Sequence, residues 1–276
     1  MLLHPARIFK FKAVDCEERM NYFMELLESR SIFFPRPYEL NDPMEANSVW
    51  YYTSTAGSGY SYEAGRIPNV ITNLQNEFRI LSFTTNPGSP LMWAHYSNEY
   101  KGCCLVFSTK TVFSSVEPII YSDCHFSYGN GNFTDELYNV IHESFLYKNS
   151  DWAYENEWRL IQRDEENRLE LLDFEDELQG VIIGENTDIG YRDRIADFCK
   201  KNDIPCFLTY TMNGNNCIQF IPIEMNYGFY TPYDVQKFLY EKEANGLCVR
   251  NEVLLFNELN DVMAKPAYNR GKDGDL

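Results

Sequence analysis

The stretch 79-RILSFTTNPGSPLMWAHYSNEYKGCCLVF-107 decides the fold class that we predict for this chain. It reads as a strand over 79–84, a Gly/Pro turn over 86–90, a short helix over 91–100 and a strongly apolar strand over 102–107. Short strands in a mixed order, with only a few helices between them, are typical of α+β proteins rather than of a doubly wound parallel sheet.

The flanking sequence extends this pattern in both directions. Residues 7–12 alternate apolar and basic side chains, which predicts a strand, and 15–30 has apolar residues at helical spacing. Residues 155–162 predict a further strand, whereas 51–66 is rich in Gly, Ser and Tyr and predicts a surface loop. We therefore expect an α+β fold with mixed, mostly antiparallel central sheets and flanking helices.

The character of the sequence changes after Tyr230. Thr231-Pro232 is a favoured N-cap and N1 pair, and a second helix is predicted at about 251–264. We divide the chain into an α+β catalytic-like domain, 1–230, and a C-terminal helical appendage, 231–276. The appendage has two interpretations: ordinary packing onto the sheet, which we favour, and a surface that binds a partner.

The composition is that of an acidic globular protein. The 276 residues include 41 Asp and Glu against 24 Lys and Arg, a formal net charge of −17, and 16% are aromatic. This charge argues against a protein that simply coats nucleic acid or an anionic membrane, although a local basic groove could still hold a nucleic-acid substrate. It is also compatible with a basic protein partner.

Two absences in the sequence bear on location and on metal binding. No stretch approaches the roughly 20 apolar residues that span a bilayer. Residues 1–11 lack a signal-peptide core, so we expect a cytoplasmic protein without membrane contact. The eight cysteines form no CxxC pair, which leaves a structural zinc site without support and predicts free thiols.

One candidate for chemistry is the predicted strand that contains Glu155, Glu157 and Arg159. Residues two apart on a strand share a face, so the three charged groups should line up. Two carboxylates beside a guanidinium suit acid/base work or the stabilisation of a cationic transition state. The alternative is the charged, solvent-facing side of an edge strand.

Two further segments supply candidate walls for a ligand cleft. Trp93 and Tyr96 lie three apart and would share a helix face beside His95, which suits the binding of a planar ring; structural packing is the alternative. Asn41-Asp42 before Pro43 predicts a turn. This turn either only connects two elements or forms one side of the cleft.

Taken in order, these segments resemble a widespread bacterial family of uncharacterised domains. The resemblance rests on an Asn-Asp-Pro-x-Glu motif at 41–45, a Met-Trp-x-His-Tyr motif at 92–96 and a Glu-x-Glu-x-Arg motif at 155–159. It covers about 7–210 and leaves the C-terminal helices uncovered. The family itself supplies no activity.

More distantly, the layout is similar to that of ADP-ribosyltransferases, especially bacterial toxins that modify nucleic acid. This resemblance implies an ADP-ribosyltransferase-like fold and NAD as the substrate. It implies that Glu157 stabilises the oxocarbenium-like ribose, that Glu155 helps to activate the acceptor and that His95 lies in the same cleft. The residues that we expect to contact NAD are Lys10, Arg36, Asn41, Asp42, Ser82, Trp93, Tyr96 and Arg159.

The first strand departs from the toxin pattern, because it has no Arg or His at a fully matching position. Lys10, Lys12 or Arg7 could contact the pyrophosphate instead. The resemblance further implies a toxin or antiphage-defence effector that modifies nucleic acid or protein. An antitoxin or chaperone would then be a candidate partner for the C-terminal helices.

Two other functions remain open at this point. A Mg²⁺-dependent nuclease or phosphodiesterase could hold its metal with Asp42, Glu45, Glu155 and Glu157. A non-enzymatic, acidic and aromatic-rich module could instead bind a protein partner or mimic nucleic acid. The leading hypothesis needs no metal.

Overall fold

The structure is a computed structural model of the chain. It describes residues 4–40, 49–53, 62–64, 69–123, 127–129, 136–211, 218–225, 230–245 and 250–264.

The described residues contain 15 β-strands and seven α-helices. The strands are β1 (Arg7–Ala13), β2 (Ser31–Phe33), β3 (Val49–Thr53), β4 (Tyr62–Ala64), β5 (Phe78–Thr84), β6 (Gly102–Ser108), β7 (Glu117–Pro118), β8 (Ile120–Tyr121), β9 (Ser127–Gly129), β10 (Tyr147–Lys148), β11 (Glu157–Arg163), β12 (Leu171–Asp173), β13 (Leu178–Ile183), β14 (Cys206–Thr211) and β15 (Ile218–Pro222). The α-helices are α1 (Glu17–Ser29), α2 (Asn69–Gln75), α3 (Pro90–Tyr96), α4 (Glu136–Ser144), α5 (Ile189–Lys201), α6 (Pro232–Ala244) and α7 (Arg250–Ala264).

The chain forms two compact units, each built from separate segments. Unit 1 comprises Met1–Ser29, Asn86–Ser108 and Glu175–Leu276. Its strands follow the order β15-β14-β13-β6-β1, in which β13 and β14 are parallel and the other neighbours antiparallel. Strand β6 is buried along its whole length, which accounts for its nearly continuous apolar sequence.

Unit 2 comprises Arg30–Thr85 and Thr109–Phe174. Its main strands follow the order β5-β11-β7, all antiparallel. Smaller sheets pair β12 with β2, β10 with β8, and β3 with both β4 and β9. The pattern confirms the predicted α+β class with mixed, mostly antiparallel sheets.

Strand β11 is fixed in unit 2 by an apolar core. Ile161 of β11 and Ile80 of β5 pack with two residues from the region of α4. Ile141 lies in α4, and Phe145 directly follows it. This packing places the start of β11, at Glu157, beside the chain that follows α4.

Two sequence-based boundaries are corrected by the structure. The helix predicted over 91–100 ends at Tyr96, because Asn98, Glu99 and Tyr100 adopt left-handed backbone angles with φ of 48°, 60° and 66°. The loop predicted over 51–66 contains strand residues at 51–53 and 62–64, where β3 and β4 pair antiparallel. The rest of that loop lies outside the described residues.

The C-terminal helices belong to unit 1, where α7 contacts both β13 and β15. Thr231 caps α6, and its hydroxyl accepts a hydrogen bond from the Asp234 amide at 3.2 Å, as predicted for the Thr-Pro pair. The domain boundary at residue 230 stays a prediction. In the described ranges, every helix is too short or too polar to cross a bilayer.

Candidate active site

Four buried charged side chains meet in unit 2, and we call them the carboxylate cluster: Lys148, Glu155, Glu157 and Arg159. The side chains of Lys148, Glu155 and Glu157 are each 4% exposed, and that of Arg159 is 1% exposed. Two carboxylates and two cations make the cluster neutral overall. This balance is what allows four charges to be buried together.

Three different elements supply the carboxylate cluster. Glu157 and Arg159 lie two apart on one face of β11, and Lys148 ends β10. Glu155 ends a 3₁₀-helix, Ser150–Glu155, and Asn156 then turns the chain into β11 with a left-handed φ of 45°. The predicted strand over 155–162 is therefore wrong at its start, and Glu155 does not share the strand face of Glu157 and Arg159. Asn tolerates the left-handed region better than most residues, which permits this turn.

Lys148 is the group that joins the two carboxylates. Its Nζ donates to Glu155 Oε2 at 2.7 Å and to Glu157 Oε2 at 2.9 Å. Arg159 grips Glu157 from the other side, with Nε to Oε1 at 2.7 Å and Nη2 to Oε2 at 3.2 Å. Arg159 Nη1 also donates to the carbonyl of Phe145 at 2.7 Å, which ties the guanidinium to the core.

The environment of Glu157 keeps this carboxylate ionised. Burial raises the pKa of Glu157, but the charges of Arg159 and Lys148 and hydrogen bonds from Arg159 and Ser82 outweigh it and lower the pKa to about 2. Ser82 lies on β5 directly opposite Arg159 in the strand register. The structure thus brings four of the predicted site residues together: Ser82, Glu155, Glu157 and Arg159.

Three aromatic side chains, those of Tyr121, Trp152 and Tyr154, lie near the carboxylate cluster. The Nζ atom of Lys148 lies 4.9 Å from the centroid of the Trp152 ring, and the rings of Trp152 and Tyr154 lie 6.1 Å apart at a tilt of 36°. The hydroxyl of Tyr121 accepts a hydrogen bond from the Glu157 amide at 2.8 Å. Burial raises the pKa of Tyr121, so this phenol stays protonated at neutral pH.

Unit 1 contains four other predicted site residues. Lys10 lies half-buried on β1, and α3 carries Trp93, His95 and Tyr96. Trp93 is fully buried, with its ring stacked 5.7 Å from that of Tyr100 and its Nε1 donating to the carbonyl of Pro87 at 2.7 Å. These contacts indicate a structural packing role for the Trp93 side chain. His95 is exposed and Tyr96 half-buried, and their sharing of a cleft with Glu157 stays a prediction.

One comparison with known proteins gives a result. Residues 92–160 match DUF2971, a family of proteins of unknown function. The match covers a quarter of the 276 residues. No curated protein and no solved structure matches the chain.

The DUF2971 match confirms the resemblance to an uncharacterised family over part of the predicted range. The matched segment begins at the Met-Trp-x-His-Tyr motif and contains Lys148 and the whole Glu-x-Glu-x-Arg motif. The Asn-Asp-Pro-x-Glu motif at 41–45 lies before it. All four residues of the carboxylate cluster therefore fall within the DUF2971 match.

Asn41 and Asp42 lie outside the described residues, as does Glu45, so the Mg²⁺-dependent alternative stays a prediction. Within the described ranges, no three His, Cys, Asp or Glu side chains are grouped as ligands for a metal ion. Cys16, Cys103, Cys104, Cys199 and Cys206 are free thiols there, as the sequence predicted.

Arg36, a predicted NAD contact outside the DUF2971 match, belongs to a second buried ionic network in unit 2. Its Nη2 lies 3.2 Å from Asp164 Oδ2, and Arg79 Nε lies 2.6 Å from the same oxygen. The Asp164 carboxylate also accepts hydrogen bonds from the amides of Arg168 and Leu169, at 2.7 and 3.1 Å. These contacts favour an anchoring role for Arg36, and its binding of NAD stays a prediction.

We expect Asp164→Asn to destabilise the fold strongly, because it leaves two buried guanidinium groups without their shared carboxylate. The free energy of unfolding should fall by about 3–5 kcal/mol in urea titrations. Glu166→Gln is the control, since Glu166 is 65% exposed in a surface ion pair with Arg168, and it should change the free energy by less than about 0.5 kcal/mol. Equal losses of unfolding free energy for the two substitutions would show that the buried network stabilises the fold no more than a surface ion pair does.

We expect the stabilisation by Glu157 to be lost in acid. The pKa of Glu157 is lowered from 4.5 to about 2, so the stabilisation is complete above about pH 4.5 and disappears as the pH falls towards 2. Between pH 5 and pH 3 the difference in unfolding free energy between the wild type and Glu157→Gln should shrink by about 2 kcal/mol. Urea titrations at the two pH values measure it, and a constant difference would contradict the lowered pKa.

Proposed function

We propose that the protein is an NAD-dependent ADP-ribosyltransferase in which Glu157 stabilises the oxocarbenium-like ribose. The observation that carries the proposal is the buried position of Glu157 between two cations, with its carboxylate 2.9 Å from Lys148 Nζ and 2.7 Å from Arg159 Nε. These two charges lower the pKa of Glu157 despite its burial. Burial alone would favour the neutral acid, which cannot stabilise a cation. The proposal assigns to Lys148 and Arg159 the role of keeping this carboxylate charged and fixed.

The reaction suits such a carboxylate. The bond between nicotinamide and ribose C1′ breaks, and nicotinamide leaves as a neutral molecule with the bonding electrons. Positive charge then builds up on C1′ and the ring oxygen of the ribose. A fixed negative charge in a site that excludes water stabilises that charge more effectively than solvent does, as it does in glycoside hydrolysis.

Glu155 is the second carboxylate of the proposed mechanism. An acceptor nucleophile adds to C1′ and must lose its proton as the new bond forms. We assign Glu155 as the base that takes this proton. Its carboxylate accepts a hydrogen bond of 2.7 Å from the Lys148 ammonium group, which also binds Glu157, so the two carboxylates lie close together. Trp152 and Tyr154 provide half-buried rings next to this residue.

The acceptor is proposed to be nucleic acid or protein, in line with a toxin or antiphage effector. The experiment is incubation of the purified chain with NAD labelled in the adenylate phosphate, together with RNA, DNA or cell lysate. We expect labelled acceptor and free nicotinamide in amounts that match, and both should persist in excess EDTA. Nucleic-acid cleavage that EDTA abolishes, without any nicotinamide, would overturn the proposal in favour of the nuclease.

A further inference from the structure

A cavity of 720 Å³ lies within unit 1, between the C-terminal halves of α5 and α6. Its apolar lining includes Ile204, which is 8% exposed, and the half-buried side chains of Ile223 and Phe238. This volume is in the range that holds a drug-sized molecule or a few side chains of a partner. It is remote in sequence from the carboxylate cluster and plays no part in the proposed reaction.

The walls of this cavity carry an excess of negative charge. Five carboxylates line it (Asp197, Asp203, Glu224, Glu241 and Glu252), against Lys200 and Lys242. Lys242 is already paired, because its Nζ lies 2.7 Å from Glu224 Oε1 and 2.9 Å from Glu252 Oε2. The last turns of α5 and α6 add the partial negative charge of helix C-termini. Apolar walls with this charge favour a ligand that combines an apolar body with cationic groups.

The surface next to the cavity indicates that the ligand is extended. A shallower hollow of 280 Å³ on α6 shares Glu241 with the cavity and is lined by Tyr233 and Tyr240. These two rings are 72% and 52% exposed, and exposed tyrosines are typical of surfaces that bind proteins. The volumes of the hollow and the cavity, 280 and 720 Å³, are more than a small amine would fill. The net charge of −17 would also attract a basic macromolecule from a distance.

We propose that the cavity and the adjoining hollow bind a basic amphipathic helix of a partner protein. Apolar side chains of that helix enter between α5 and α6, and its Lys and Arg side chains meet Asp197 and Glu241 at the rim. Tyr240 covers the part of the helix that extends over α6. This mode of binding places a helix in a groove, with a few apolar anchors and a charged rim.

The experiment measures the fluorescence anisotropy of a labelled 15-residue helix bound to the full chain. The probe has Leu on one face and Lys on the other, and two control helices replace Leu by Ser or Lys by Glu. We expect the probe to bind and both controls to bind at least about tenfold more weakly. If the Ser control binds as tightly as the probe, the apolar cavity is not the site and the proposal fails.

Two matched double variants separate the cavity from the general negative charge. The first variant is Asp197→Lys/Glu241→Lys, at the cavity, and the second is Glu25→Lys/Glu28→Lys, on α1. Both change the net charge by the same amount, and all four positions are exposed. We expect the first pair to weaken binding about tenfold or more and the second, on α1, to weaken it less than about threefold. Equal losses would overturn the proposal.

Tyr240→Ser tests the hollow, and it should weaken binding of the probe by about fivefold or more. Binding of spermine that depends on Asp197 and Glu241 but not on Tyr240, together with no binding of the helix, would assign the cavity to small organic cations and overturn the proposal. None of these readouts involves NAD, so a failure here and a failure of the proposed ADP-ribosyltransferase activity are distinguishable.

Discussion

Glu157→Gln should lower the rate of nicotinamide release from NAD by about 10²–10³-fold, the loss typical when a group that stabilises transition-state charge is removed. The amide has nearly the same shape as the carboxylate, so the change removes the negative charge and leaves most of the space filled. The rate is measured per folded molecule, with the folded fraction taken from circular dichroism under the assay conditions.

This measurement needs a control, because Glu157 is 4% exposed and ion-paired, so its replacement also lowers stability. Asp164→Asn provides it. Asp164 is equally buried in the other ionic network of unit 2, and its loss should destabilise the same unit to a similar extent. We expect Asp164→Asn to retain the rate per folded molecule within a few-fold. Equal rates for the two variants would reduce Glu157 to a structural residue.

Lys148→Met should lower the free energy of unfolding by about 3–5 kcal/mol. The substitution keeps the apolar stem of the side chain but removes the ammonium group that lies 2.7 Å from Glu155 and 2.9 Å from Glu157. Two buried carboxylates then remain with Arg159 as the only cation of the carboxylate cluster. Urea titrations at pH 7 measure the loss.

A double variant makes the test of Lys148 specific. In Lys148→Met/Glu155→Gln one carboxylate is neutralised together with the ammonium group, so the cluster returns to one negative and one positive charge. We expect the double variant to be more stable than Lys148→Met alone by at least about 1 kcal/mol. If the two substitutions instead add their separate losses, Lys148 and Glu155 are not coupled.

Local sequence patterns were sufficient to predict the strands next to the candidate site. Residues 79–84 and 102–107 coincide almost fully with β5 and β6, because buried strands need continuous apolar sequence. The charged pair Glu157 and Arg159 was also predicted on one face, since the strand period of two depends only on spacing.

The remaining features of the site depend on contacts between distant segments. Lys148 lies seven residues before Glu155 in a two-residue strand, and nothing in its local sequence indicates that it joins both carboxylates. The turn at Asn156 was missed because Glu-x-Glu-x-Arg fits a strand throughout. Arg36 is held by Asp164, which follows it by 128 residues, so its anchoring role has no local signal. The position of Lys148 between two glutamates can be recognised only from the three-dimensional structure.

The most direct test of the proposed chemistry is the rate of nicotinamide release from NAD that carries deuterium at ribose C1′, compared with unlabelled NAD. If Glu157 stabilises a ribose with oxocarbenium character, C1′ becomes nearly planar in the transition state and its C–H bending loosens. We predict that the wild-type protein releases nicotinamide more slowly from the deuterated molecule. Equal rates for the two molecules, or no release of nicotinamide at all, would contradict the account.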